Sequence, residues 1–257
     1  MPIGVIVNCF SVLLGGLIGA LLGDKIPERL RNSLPLIFGV ASMSMGINYI
    51  IKMHALPAVI LALILGSAIG ELVYLEKGIE WCASHARGPV EKLFSRKETN
   101  QMDSEVAASI ESEEKSSLDQ HKGFMEKFVA IVILFCASGT GIFGALTEGM
   151  TGDHSVLITK SILDFFTAGI FATALGYLVL TICIPQFIIL MLLFLSASFI
   201  LPMTTPAMIA DFTACGGMIM LATGFRISGI KSFPIDNMLP ALVLVMPISY
   251  LWSTFIH

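Results

Sequence analysis

Residues 2–23 of the chain read PIGVIVNCFSVLLGGLIGALLG, an apolar run without a single charged side chain. A membrane-spanning α-helix needs about 20 consecutive apolar residues, so this run is long enough to cross a bilayer. No basic residue precedes it, and it is longer than the apolar core of a signal peptide. We therefore predict that it is the first transmembrane helix.

The rest of the chain has the same apolar character, apart from one polar insert. Of its 257 residues, 55% are hydrophobic and 13% are charged, and the mean hydropathy is +0.85. Of the 34 charged residues, 19 lie between Glu76 and Lys127. Because soluble domains carry about 25% charged residues, the composition predicts an all-α membrane protein. The net charge of −4 and the lack of a dense basic patch argue against a nucleic-acid partner.

Seven further apolar runs predict a total of eight transmembrane helices. These runs cover residues 33–51, 56–75, 128–146, 155–180, 185–201, 207–225 and 238–256. The chain then divides into helices 1–3 (residues 1–75), an insert (76–127) and helices 4–8 (128–257). Since the fourth run is rich in glycine, seven spans with a re-entrant fourth segment is the alternative.

The basic residues predict the orientation, because lysine and arginine are retained on the cytoplasmic side. The connections after the first, third and seventh helices hold 13 of the 15 Lys and Arg residues, and the other two are Lys52 and Lys160. Both termini are therefore expected outside, and the insert in the cytoplasm. Within the insert, the mixture of apolar and charged residues at 76–94 predicts an interfacial helix. The polar composition of residues 95–123 predicts a mobile linker or a regulatory segment.

Two similar hexapeptides predict an internal repeat. Residues 16–21 read GLIGAL in the first helix, and residues 141–146 read GIFGAL in the fourth. These two helices run in opposite directions in the predicted topology, so helices 1–3 and 4–6 are predicted to be inverted repeats. Inverted repeats are a common plan of secondary transporters, whose site lies where the repeats meet.

The glycines indicate close helix packing, and the cysteines indicate no disulfide framework or metal site. Gly15, Gly19 and Gly23, and likewise Gly66 and Gly70, are four residues apart, a spacing that lets helices approach closely within one subunit or in a homo-oligomer. Contact with a pore or substrate is the alternative. The five cysteines form no Cys-x-x-Cys pair, so neither a disulfide framework nor a zinc site is indicated, and no cofactor is expected.

Asp164 and Asp211 lie inside apolar runs. A charged side chain at the bilayer centre costs about 2.5–3.5 kcal/mol, so such residues face a cavity or a partner. Lys160 is one turn before Asp164 and can pair with it, while Asp211 lies near a helix start, where the dipole favours a carboxylate. These structural roles are alternatives to cation or proton handling. Candidate oxygen ligands for a hard cation are Thr167, Thr204, Thr205 and Thr213.

The fourth run contains the stretch CASGTGIFG at residues 136–144, which is the least favourable to a helix. Glycine costs about 1 kcal/mol in a helix interior, and irregular backbone at membrane depth is tolerated only against protein or a water-lined cavity. We predict a discontinuous helix with backbone groups available to an ion or substrate; a closely packed, continuous helix is the alternative. Both aspartates are expected beside this break, around one polar cavity. The candidate residues of the break are Ser138, Gly139, Thr140 and Gly141.

Several stretches of the chain resemble the bacterial YdfK/YqgA-like family. They are residues 135–153, 160–169, 204–206, 210–212, 221–224 and 237–242. The resemblance covers nearly the whole chain except residues 95–123. It implies a multi-pass protein of the bacterial inner membrane, and it implies no activity and no catalytic residue.

A transporter or channel for a small solute or ion is the function that these features favour. The alternative is a membrane scaffold or sensor that signals through the insert. An enzyme is not expected, because neither aspartate lies in a Tyr-Asp or Gly-x-Gly-Asp motif, Ser138 lacks a Gly-x-Ser-Gly motif, and no histidine lies in mid-span. The expected partners are the lipid bilayer and a small solute or cation.

Overall fold

The computed structural model describes residues 1–25, 27–85, 128 and 131–255. It has ten α-helices within these ranges, besides a short helical piece at residues 131–136, and no β-strand occurs in this part of the chain. The helices are α1 (Ile3–Leu22), α2 (Glu28–Ile50), α3 (Leu56–Leu72), α4 (Leu75–His85), α5 (Gly139–Thr151), α6 (Ser155–Leu175), α7 (Cys183–Ile200), α8 (Pro206–Ile227), α9 (Ile235–Met238) and α10 (Pro240–Phe255). The predicted all-α class is confirmed.

Each of the eight predicted spans has a helix in its place. Six segments of the described chain are long and apolar enough to cross a membrane, and α3 is a shorter apolar helix of 17 residues. One of the six, Ser155–Met203, is 49 residues long and contains both α6 and α7. α4 covers the start of the predicted interfacial helix, whereas the predicted linker at residues 95–123 lies outside the described residues.

The turn between α6 and α7 comes earlier than predicted. The fifth span was expected to reach Leu180, but α6 ends at Leu175, and Gly176 adopts a positive φ of 59°. Glycine adopts this left-handed conformation without steric cost. The 3₁₀ segment Gly176–Ile182 then leads back towards α7. Since this segment is apolar, hydropathy alone does not mark the turn.

Close helix packing explains the glycines spaced four apart. A Cβ atom on Gly15 would overlap the backbone of Phe165 in α6, and one on Gly19 would overlap Gly169. In α3, Gly66 and Gly70 pack in the same way against the backbone of α10 and α9. The predicted packing role within one subunit is therefore confirmed for these four glycines, whereas a Cβ atom on Gly23 would meet no atom within 4 Å.

The predicted inverted repeat finds no counterpart in the helix packing. α1 packs mainly on α6, α2 on α8 and α3 on α10, so the first three helices contact partners in the second half. In the second predicted unit, α5 packs on both α6 and α7. The two similar hexapeptides share a partner instead, because Gly19 and Gly144 both pack on α6.

Polar contacts near the helix ends define the two ends of the bundle. At one end, here named the α4 end, Glu76 of α4 pairs with Arg226 of α8. At the other, named the far end, Asp211 at the start of α8 binds residues 54–55, between α2 and α3. The placement of the α4 end in the cytoplasm remains a prediction that rests on the basic residues.

The outer surface of the bundle is apolar. Large hydrophobic side chains stand exposed on several helices, among them Ile64, Leu192 and Phe199, at 62%, 62% and 81% of their full accessibility. An apolar surface of this extent marks contact with a membrane or another protein. In a chain of these long apolar helices, it fits contact with lipid.

Candidate functional site

The fourth span is broken at Ala137 and Ser138, as the sequence predicts. Residues 131–136 are helical, Ser138 is extended with ψ 124°, and α5 begins at Gly139. The hydrogen bond from Ile142 N to the carbonyl oxygen of Ser138, of 3.0 Å, opens the new helix. The three amides before Ile142 precede this bond, so they have no intrahelical acceptor and point towards the break.

A cavity of about 270 Å³ adjoins this break. Its walls come from α2, α6, α8 and both parts of the fourth span. Five of the predicted site residues line it, namely Ser138, Thr140, Lys160, Asp164 and Thr167. The structure therefore brings together the break and one of the two aspartates.

A second cavity of about 250 Å³ continues from the first towards the α4 end. The two share Leu134, Ser138, Thr223 and Ile227 as lining residues, so they lie side by side. Gly139 and Arg226 are among the other residues that line the second cavity. The two neighbouring cavities thus border Arg226, the break and the buried charges of α6.

Lys160 and Asp164 are the charged residues at this site, one turn apart on α6. Both are buried, at 3% and 8% exposure, and Lys160 Nζ donates to Asp164 Oδ2. The ring of Phe135 lies 5.7 Å from Lys160 Nζ, within the range of a cation–π contact. A buried ion pair needs further hydrogen bonds to offset the loss of hydration.

Two amide side chains supply those hydrogen bonds. Asn8 Nδ2 of α1 donates to Asp164 Oδ2 at 2.8 Å, and Gln186 Nε2 of α7 donates to the same oxygen at 2.9 Å. Gln186 Nε2 also lies 2.7 Å from Asn8 Oδ1. The three donors, from Lys160, Asn8 and Gln186, all bind Oδ2 of Asp164. No described residue donates to Oδ1. The second carboxylate oxygen is therefore free to interact with the cavity contents.

Asp211 occupies a different environment. Its Oδ1 accepts the backbone N–H groups of His54 (2.8 Å) and Ala55 (2.7 Å), and its Oδ2 accepts the hydroxyl of Ser249 (2.6 Å). Because Ala55 directly precedes α3, this carboxylate caps the start of that helix. Asp211 does not line the cavity of Asp164. The two carboxylates thus form two clusters, and not the single cluster that the sequence predicts.

The hydroxyl groups of the predicted threonine ligands form hydrogen bonds with nearby backbone groups. The hydroxyls of Thr167, Thr204 and Thr213 each donate to a carbonyl three or four residues earlier. The Thr205 hydroxyl accepts the N–H of Met208 at 3.3 Å and caps α8. Of these four threonines, Thr167 is the one that lines the cavity of Asp164.

Gly141 belongs to the site through its packing. A Cβ atom placed on it would lie 3.0 Å from Lys160 Cε, so glycine allows the lysine to lie against α5. No group of three or more His, Cys, Asp or Glu side chains that could hold a metal ion occurs in the part of the chain that the structure describes.

Sequence reasoning missed two buried residues, Gln186 and Glu148. Gln186 is fully buried in α7, and its amide is the only side-chain amide in this mostly apolar helix. Glu148 is 2% exposed in α5, and its Oε1 accepts the N–H of Gly4 at 2.8 Å. The available signal was a polar side chain within a mostly apolar run, the same signal that identifies Asp164.

The structure also joins two cysteines that the sequence did not pair. A disulfide links Cys9 of α1 to Cys183 of α7, with their Cα atoms 5.3 Å apart. They are 174 residues apart in the chain, so spacing gave no sign of the bond. It fixes α1 to α7 beside Asn8 and one turn before Gln186.

Comparisons with known proteins agree with the predicted resemblance. The chain is 50% identical over 255 residues to the uncharacterized protein YqgA of Escherichia coli (strain K12), and the alignment covers 99% of both chains. It is 26% identical over 247 residues to the uncharacterized membrane protein YdfK of Bacillus subtilis (strain 168), covering 94% of this chain and 93% of that protein. No solved structure matches the chain. Residues 3–250 match the family described as protein of unknown function (DUF554), and this chain is therefore a membrane protein that belongs to that family.

Proposed function

We propose that the protein moves a small solute or ion across the membrane, and that Asp164 with Lys160 binds the proton or cation involved. The observation that carries this proposal is the position of a buried ion pair in a cavity beside a broken transmembrane helix. Ionisable residues at membrane depth generally line the paths of ions or substrates. Broken helices are the usual site-forming elements of transporters.

The ion pair can exchange one positive partner for another. In the structure, the ammonium group of Lys160 neutralises Asp164 through Oδ2. A proton or cation that reaches Oδ1 from the cavity competes with Lys160, because both neutralise the same carboxylate. Asn8 and Gln186 keep the carboxylate in place during the exchange. Binding of the ion therefore releases Lys160 from its partner.

The start of α5 supplies the complementary groups for a solute. Its first amides lack intrahelical acceptors, and Ser138 and Thr140 add hydroxyl groups to the cavity lining. Half-helices in transporters direct such N–H groups at anionic parts of a substrate. A released Lys160 would add a positive charge at the same place, and this links ion binding to solute binding.

The experiment is charge movement in liposomes that contain the purified protein. Concentration jumps of protons, Na⁺, K⁺ and a panel of small organic anions are applied to a supported layer, and the transient current is recorded. The test variant is Lys160→Met/Asp164→Asn, which removes both charges together. The control is Tyr49→Phe, which removes a hydrogen bond between α2 and the start of α6 outside the cavity.

We expect at least one probe to give a current in the unmodified protein and in the control. The double variant should lower that current about tenfold or more, which corresponds to about 1.4 kcal/mol. Equal currents in the double variant, or no current with any probe, would contradict the proposal.

Signalling through the insert is the second candidate function, and one contact favours it. Arg226 lines the second cavity, and its Nη2 lies 3.7 Å from Glu76 Oε1 in α4, where the insert begins. A ligand in this cavity would contact the residue that holds α4. Binding of a probe without any flux in liposomes would favour this function over transport.

A further inference from the structure

We infer that Glu148 is a second proton-binding residue, which exchanges protons between the far end of the bundle and the Lys160–Asp164 pair. This inference rests on the proposed function and names the proton as its coupling ion. It assigns a role to a buried carboxylate that the proposed ion exchange does not use.

Glu148 has one occupied and one unoccupied carboxylate oxygen. Its Oε1 accepts the N–H of Gly4 near the start of α1, whereas its Oε2 is buried without a donor among the described residues. Asp211, another buried carboxylate that binds a helix start, has partners on both oxygens. A buried charge without a partner is costly, and a bound proton removes that cost. Glu148 therefore caps α1 with one oxygen and can hold a proton on the other.

Glu148 lies on the face of α5 that runs along α6. Gly141, Gly144 and Glu148 are spaced at i, i+3 and i+7, so they share one side of the helix. A Cβ atom on Gly141 would lie 3.0 Å from Lys160 Cε, and one on Gly144 would lie 2.8 Å from Leu157 Cδ2. Seven residues of helix rise about 10 Å. This face thus leads from the ion pair towards the far end.

Leu157 is the barrier between the two sites. It is fully buried in α6, three residues before Lys160. A Cβ atom on Gly4 would lie 2.7 Å from Leu157 Cβ, so the side chain is enclosed between the glycines of α1 and α5. Because the cavities lead towards the α4 end, Leu157 separates them from Glu148. A change in its packing would connect the two carboxylates.

The other charged groups around α5 are already engaged or lie apart. In α6, Lys160 and Asp164 pair with each other beyond Leu157. In α8, Asp211 is bound by the connection before α3, and Asp153, in the connection to α6, accepts the N–H of Ser155. α7 has no ionisable side chain outside the disulfide, and the Met1 residue in front of α1 is fully exposed.

Infrared difference spectroscopy tests this inference on the full-length protein in lipid. The C=O stretch of protonated carboxyl groups is followed across a pH titration, without any transport substrate. We expect a titrating band that disappears in Glu148→Gln. The band should persist in the control Glu71→Gln, which neutralises a carboxylate at the α4 end. An unchanged band in Glu148→Gln would overturn the inference.

Two further measurements keep the test decisive. Glu148→Asp keeps a carboxyl group, so its band should shift in frequency and not vanish, even if Glu148→Gln fails to fold. In liposomes, currents driven by pH jumps should depend on the pH at the far end in the unmodified protein, and lose that dependence in Glu148→Gln. Retained dependence would overturn the exchange role. A titrating Glu148 without any current would contradict the proposed function alone.

Discussion

Asp164 and Asp211 are both buried carboxylates on apolar helices, yet their partners differ in kind. Asp211 binds two backbone amides and a hydroxyl and uses both oxygens. Asp164 binds an ammonium group and two side-chain amides through one oxygen and borders a cavity with the rest of its side chain. Backbone amides at a helix start cannot leave, whereas an ammonium group can be exchanged. Burial alone therefore does not identify a functional carboxylate, and the nature of its partners does.

The largest expected effect is a loss of stability in Asp211→Ala. This change leaves the amides of His54 and Ala55 and the hydroxyl of Ser249 without their acceptor. Each buried polar group left unsatisfied costs about 1–3 kcal/mol, so the free energy of unfolding should fall by several kcal/mol. Ser249→Ala removes one of the three donors and should cost much less. Unfolding by SDS titration in mixed micelles measures both, and equal stability of Asp211→Ala and the unmodified protein would contradict the capping role.

The next largest effect is the difference in stability between removing one charge of the Lys160–Asp164 pair and removing both. Lys160→Met leaves Asp164 buried and unpaired, and breaking a buried pair in this way costs about 3–5 kcal/mol. Lys160→Met/Asp164→Asn removes both charges and should recover most of that loss. The same SDS titration compares the single and double variants. If the double variant is as unstable as the single one, the two residues do not act as a pair.

A smaller effect is expected for Gln186→Leu in α7. Gln186 donates to the charged Asp164 and contacts Asn8, and a hydrogen bond to a charged group contributes about 1.5–3 kcal/mol. Part of this is offset, because Gln186 Oε1 is buried without a partner and its removal is favourable. We expect a net loss of about 1 kcal/mol. Ile188→Leu, on the exposed side of the same helix, should be neutral; a loss of the same size there would show that the effect is not specific to the network.

The smallest effect concerns Asp153, a half-buried carboxylate at the far end. Burial raises its pKa, but the hydroxyl and N–H of Ser155 and the charge of Lys52 together hold the pKa below its ordinary value. A depressed pKa stabilises the fold above the unfolded value of about 4, and this contribution is lost as the pH falls through the folded value. The melting temperatures of Asp153→Asn and the unmodified protein should therefore differ slightly at pH 7 and converge as the pH falls through the lowered pKa of the folded protein. A difference that grows on acidification would contradict this account.

Hydropathy predicts the helices because each span must be apolar, and glycine content predicts the break at Ser138. The i, i+4 spacing likewise predicts the pair of Lys160 and Asp164. The partners of Asp211, the role of Gln186 and the disulfide of Cys9 depend on which helices pack together. A single sequence contains no signal for that choice. For the same reason, the two similar hexapeptides gave no sign that both pack on α6.

Charge movement in the two aspartate variants tests the central claim most directly. Lys160→Met/Asp164→Asn and Asp211→Asn are reconstituted in liposomes at equal amounts of folded protein, and currents are recorded after jumps of pH and of Na⁺. The account predicts that the first variant lowers the ion-dependent current about tenfold or more, while Asp211→Asn retains it per folded molecule. Retained current in the Lys160→Met/Asp164→Asn variant, together with a loss in Asp211→Asn, would show that the exchanging carboxylate is Asp211 and would contradict the account.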